Sequence, residues 1–237
     1  VTEEPEAEKF HLQGGELIKE ITFGANDGIV SVFALLAGVA GAGQSPQTIL
    51  IALLAATIAG ALSMAAGEFI SAKGEHEYYA HEIEQERLEI ALTPEIEKEE
   101  IRLIYKRKGF SGDLLDKVVD QIVQDEDRWV REMVVDELGI TDLDQTPSLK
   151  TSFIIFFAFI MGALFPVLPY AILFQAAIDP LVLFWIATGV TFGGLFLAGS
   201  LKTFVTGVNW LKSGVEMLIV GIFAFGVSYL IGTIIPI

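Results

Sequence analysis

The stretch ALSMAAGEFISAKGEHEYYAHEIEQERLEI, Ala61 to Ile90, passes from a membrane-grade apolar run into a glutamate-rich one with no proline and no glycine cluster to stop a helix. It predicts one continuous rod from Thr48 to Ile90. At about 1.5 Å per residue that rod is roughly 60 Å long, about twice the hydrocarbon thickness of a bilayer. Half of it must stand in water. Few folds accept such an element, and the rest of the chain has to supply both a lipid-facing and a water-facing partner for it.

Composition agrees with that division. The chain has 237 residues, 52% of them hydrophobic, and a formal net charge of -16, with mean hydropathy +0.55. Apolar and acidic residues are therefore segregated along the chain. Between Glu75 and Asp144 there are 21 Asp/Glu against 9 Lys/Arg, so the acid is concentrated in one block. The absence of cysteine excludes disulfides and thiolate metal sites, leaving Met and His as the soft ligands. The first twenty residues are polar and acidic, without the basic-then-apolar order of a signal peptide, which predicts a cytosolic N-terminus.

Five segments are long enough to span a membrane: Ile21 to Gly43, Thr48 to Ser71, Thr151 to Phe174, Leu181 to Leu201 and Gly214 to Ile234. Backbone groups in lipid must bond internally, so these are helices. Pro166 and Pro169 are expected to kink the third. Gly189 and Gly193 in the fourth either admit a close neighbour or serve as ordinary filler. All 15 basic residues fall before the first span, between the second and third, or between the fourth and fifth; the other two connections have none. The positive-inside rule puts the acidic block in the cytosol and the C-terminus outside or in a lumen. The fold class is all-α and polytopic, divided as 1–74 (tail and two spans), 75–146 (acidic helical domain) and 147–237 (three spans).

The acidic block reads as three helices. Thr93 with Pro94 opens the second and Gly109 ends it; Ser111 opens the third and Gly139 closes it. At 100° per residue, Glu86 lies on the apolar stripe of Tyr79, Ile83 and Ile90, with Glu75, Glu82 and Glu89 along its edge. Glu97 and Glu100 share a face with Ile101 and Ile104. Glu126, Met133 and Glu137 lie in the stripe of Leu115, Val119, Ile122, Trp129 and Val130, whereas Asp113, Asp116, Asp120 and Asp127 do not. Inward carboxylates from three packed helices must protonate or find a cation. Glutamate oxygens suit Fe(II) and Mn(II), and a thioether shifts preference toward softer transition metals. The candidate ligands are Glu86, Glu89, Glu97, Glu100, Met133 and Glu137, with Glu82 and Glu126 as outlying members. His76 and His81 lie near them; lone histidines are more often structural. Within the spans, Asp27, Glu68 and the Met64 one turn before it are candidate pathway groups, since intramembrane charges are functional by default. Glu216 has Lys212 four residues before it and is left unassigned.

GANDGIVSVFALLAGVAGAG (Gly24 to Gly43), ALSMAAGEF (Ala61 to Phe69) and SLKTFVTGVNWLKSGVEMLIVG (Ser200 to Gly221) resemble the vacuolar iron transporter family over nearly the whole chain. That resemblance implies a five-helix homodimer moving Fe(II), and in some members Mn(II), out of the cytosol with proton exchange. It implies a pathway between first and second helices that includes Asp27 and Met64, and a ligand pattern on the six residues above. Two departures are visible: Ala56 stands where plant members have a carboxylate, and Val134 follows Met133 where they have a second methionine. The metal enters as cargo, with no resident cofactor and no nucleic-acid partner; metal ions, protons, the bilayer and a second copy are the expected partners. The competing reading is a membrane-anchored metal sensor or store without transport. A ferritin-like oxidase needs paired Glu-x-x-His motifs, and only Glu8 to His11 matches.

Overall fold

The computed structural model describes residues 15–137, 139, 148–203 and 207–235. The described residues form eight helices and no strand: α1 Gly15–Gly41, α2 Pro46–Leu92, α3 Pro94–Arg107, α4 Gly112–Val123, α5 Glu126–Asp136, α6 Leu149–Leu173, α7 Pro180–Leu201 and α8 Trp210–Ile234. α2 is a single helix of 47 residues. The chain divides into two compact units, Val1–Phe69 with Leu149–Ile237, and Ile70–Ser148.

The first unit contains five helices long and apolar enough to cross a membrane: α1, α2, α6, α7 and α8. α1 is its hub, packed against α6, α7 and α8. A β-carbon built on Gly24 would stand 2.9 Å from the carbonyl oxygen of Ile155, and one on Gly28 only 2.1 Å from that of Phe159. Contacts that advance together along both helices make α1 and α6 parallel. Gly38 against Ser228 and Gly41 against Tyr229 make α8 parallel to α1 as well. α7 runs the other way along α8, since Gly199 meets Ser213 while Leu195 meets Gly221. Phe33 sits fully buried at the junction, 5.2 Å from the rings of both Phe192 on α7 and Phe225 on α8.

Close approach decides which glycines matter. Nothing lies within 4 Å of a β-carbon on Gly189 or Gly193, so these two are filler within the chain, and the tight contacts of α7 fall at Gly194 and Gly199 instead. A paired prediction follows from the geometry. Gly28→Ala should destabilise the purified protein by about 3 kcal/mol or more, as overpacking does, while Gly189→Ala should gain roughly 0.5–1 kcal/mol from helix propensity. Thermal unfolding in detergent measures both. Equal melting temperatures would mean that α1 and α6 do not meet at Gly28. α6 continues through Pro166 and Pro169, both buried.

α2 presents one stripe to this core, through Ile49, Leu53, Thr57 and Ala61, and leaves Ile51, Leu54, Ile58 and Leu62 exposed. α8 leaves Ile219, Phe223 and Leu230 exposed. Apolar faces on this scale are stable only against lipid or another protein surface. The unit is that of an integral, multi-pass membrane protein.

The second unit is built from the later part of α2 with α3, α4 and α5, around Ile90, Ile101, Ile104, Val119, Ile122, Trp129 and Val130. Here the structure corrects the sequence reading twice. The third helix breaks after Val123, because the Asp125 carboxylate accepts a hydrogen bond from the Arg128 N–H (2.9 Å) and starts a new helix whose first turn holds Glu126 and Asp127. Thr93 and Ser111 occupy the N-cap positions of α3 and α4, but neither side chain caps. Thr93 instead donates to the Glu89 carbonyl at 3.1 Å. Gly109, at φ +99°, terminates α3 in a conformation glycine adopts without strain.

Candidate metal centre

The acidic unit sorts its carboxylates by partner. Arg87 pairs with Asp127 at 2.8 Å, Lys98 with Asp120 at 2.7 Å, Arg102 with Asp116 and Lys108 with Asp136. These pairs join neighbouring helices on the outside. Glu86, Glu89, Glu97, Glu100 and Glu137 enter none of the ion pairs formed among the described residues. Between helices the cations pair with aspartates, and these five glutamates stay outside the pairing.

Each of three helices contributes two donors at helical spacing. Glu86 and Glu89 are three apart on α2, Glu97 and Glu100 three apart on α3, and Met133 stands one turn before Glu137, whose N–H donates to the Met133 carbonyl at 2.8 Å. Glu86 is 4% exposed and Glu97 5%, while Met133 is fully enclosed in the core. Glu100 is half-buried; Glu89 and Glu137 are exposed. The Glu86 Oε1 is buried without a hydrogen-bond partner. Such an atom is costly unless something else satisfies it.

Electrostatics tie the five together. Burial, and then the charges of Glu97, Glu137, Glu89 and Glu100, push the Glu86 carboxyl up to about 7. Burial followed by the charges of Glu100, Glu89 and Glu137 raises Glu97, with the neighbouring Thr93 opposing. Glu137 is raised by burial and by Glu100 and Glu89, with Arg107 opposing, and it shares a hydrogen bond with Glu100. Neither Glu82, half-buried on α2, nor Glu126, exposed in the first turn of α5, is among the carboxylates that bear on these three. The break before α5 resets the register that placed Glu126 on the stripe. His81 is exposed and His76 half-buried.

Among the described residues no three His, Asp or Glu side chains are already drawn into a metal-holding arrangement. An ion held here would have to draw the carboxylates together and displace the proton that Glu86 holds near neutrality. Affinity for a divalent ion should therefore fall as pH drops below about 7, by up to ~10-fold per unit for one proton displaced. Calorimetric titration of the full protein with Mn(II) between pH 5.5 and 8 measures it. A flat profile would remove Glu86 from the ligand set.

In the membrane unit, Asp27 is half-buried on α1 and its carbonyl accepts from the Ser31 hydroxyl at 2.5 Å. Met64 is half-buried on α2 against the apolar core, and Glu68, half-buried one turn later, completes the set. The close helix pairs of this unit are α1–α6, α1–α7, α1–α8, α6–α7 and α7–α8, so α2 is held less tightly than the others.

A family model described as the VIT family matches residues 18–233, from the first span through the last. The chain belongs to the VIT family. Its relatives include vacuolar iron transporter 1 of Arabidopsis thaliana, 32% identical over 95% of this chain and 88% of that protein. Vacuolar iron transporter 1 of Oryza sativa subsp. japonica is 32% identical over 92% and 85%, and the vacuolar iron transporter of Toxoplasma gondii 32% over 92% and 74%. This VIT-family protein is a metal transporter rather than an enzyme, and the metal is its substrate.

Proposed function

We propose that the protein exports Fe(II), and Mn(II) by the same donor chemistry, from the cytosol across its membrane in exchange for protons, as a homodimer. The observation that carries the metal reading is the buried, unpartnered Glu86 oxygen amid four further glutamates that enter no ion pair among the described residues. Glutamate oxygens with the Met133 thioether favour soft-tolerant divalent transition metals over Ca(II) and Mg(II). Glu86, Glu89, Glu97, Glu100, Met133 and Glu137 gather the cargo within an acidic cytosolic domain, 75–146, flanked by membrane segments 1–74 and 147–237.

Orientation rests on the basic residues, all 15 of which lie on one side of a five-span chain. Parallel α1, α6 and α8 with antiparallel α7 are consistent with successive crossings. Asp27, Met64 and Glu68 form the path through lipid, with Glu68 supplying from the cytosolic side the carboxylate that Ala56 lacks. The exposed apolar face of α2 favours a second copy beside it, which doubles these donors by symmetry. Protons carried back on the same carboxylates would offset the cargo charge.

Fe(II) uptake into proteoliposomes, with and without an imposed pH gradient, tests the proposal. Export with antiport predicts flux that rises with the opposing proton gradient and competition by Mn(II). Flux indifferent to the gradient would remove the exchange; no flux at all, with binding intact, would leave a membrane-anchored store.

A further inference from the structure

Two apolar grooves lie side by side on the membrane unit, where α1 and α6 begin and α7 ends. The first, about 400 Å³, lies between α1, α6 and α7 and is lined by Lys202, the C-cap residue of α7. The second, about 540 Å³, lies between α1 and α6 and is lined by Lys150, the second residue of α6. Ile21, Ala25 and Met161 line both, so one ridge divides them. Two adjoining apolar grooves, each lined by a lysine at the same end of the helices, have the layout of a diacyl lipid.

We propose that this pair of grooves binds one anionic phospholipid, with an acyl chain on either side of the Met161 ridge and the phosphate held by Lys150 and Lys202. Lysines at helix ends lay their stems along apolar walls and hold the charge at headgroup level. Basic pockets between spanning helices on the cytosolic side select anionic headgroups. The chain as a whole, at -16, repels an anionic membrane surface. Any preference for an anionic lipid would therefore come from a local site and not from general attraction. The proposal does not depend on which metal is carried.

Native mass spectrometry of the detergent-purified protein with equal amounts of phosphatidylglycerol and phosphatidylcholine is the test. The expected result is one phosphatidylglycerol retained per chain in preference to phosphatidylcholine. The double variant Lys150→Ala/Lys202→Ala should lose that preference by about 30-fold, from about fivefold per lysine. Met161→Trp, which fills the ridge region from a largely exposed position and leaves both charges in place, should also release the lipid. A melting temperature for each variant separates lost binding from lost fold. Equal retention of the two lipids, retention that survives both variants, or a dimer whose interface covers this face without lipid would each overturn the proposal.

Discussion

Reconstituted Asp27→Ala protein should show Fe(II) uptake reduced about 100-fold while its acidic unit binds metal as before. The size follows from the cost of an ion in the bilayer. A single charge at mid-membrane costs about 2.5–3.5 kcal/mol on insertion scales, and a carboxylate in the path offsets a comparable amount for a passing cation. At about 1.4 kcal/mol per tenfold, its loss is worth about two orders of magnitude in rate. Asp27 belongs to the membrane unit and the glutamate cluster to the other, so binding should be unchanged to within about twofold, as for independent sites. A storage or sensing protein has no flux to lose, and equal uptake by variant and wild type would take Asp27 out of the path.

Glu86→Gln should move stability and binding in opposite directions. In the wild type the folded-state carboxyl titrates near 7, against 4.5 when unperturbed. Below pH 4.5 both folded and unfolded chains are protonated and there is no penalty. As pH rises from 4.5 to about 7 the unfolded chain ionises while the folded carboxyl keeps its proton, and stability falls by on the order of 3 kcal/mol. Glutamine keeps the shape and never ionises. The metal-free variant should therefore be more stable than wild type at pH 8 and equal to it at pH 4.5, while divalent-metal affinity at pH 8 falls by about 10- to 100-fold. Melting curves at the two pH values, with titrations alongside, measure both. A purely structural glutamate would lose stability without changing affinity.

Much of this was legible in the sequence, for identifiable reasons. The long apolar runs and the uninterrupted passage through Ala61 to Ile90 leave a chain in lipid no alternative to helix, and α2 spans Pro46–Leu92 where the pattern placed a rod from Thr48 to Ile90. Burial of Glu86, Glu97 and Met133 follows from helical periodicity alone. The break at Asp125 was not legible, because an aspartate inside an amphipathic pattern reads equally as solvent-facing surface or as a cap. Its effect on Glu126 was hidden for the same reason. The cross-helix pairs of Asp116, Asp120, Asp127 and Asp136 depend on three-dimensional neighbours, and spacing along one helix says nothing about them. Gly189 and Gly193 have the spacing of a contact motif, yet the close approaches fall at Gly194 and Gly199, since the face a helix turns to its neighbours is set by the whole bundle.

Crystals of the full chain grown with Mn(II), with anomalous diffraction collected at the manganese edge, decide whether these side chains hold the metal. Density is expected among Glu86, Glu89, Glu97, Glu100, Glu137 and Met133, with the carboxylates converging on it. Density elsewhere, with none bridging these five carboxylates, would overturn the assignment.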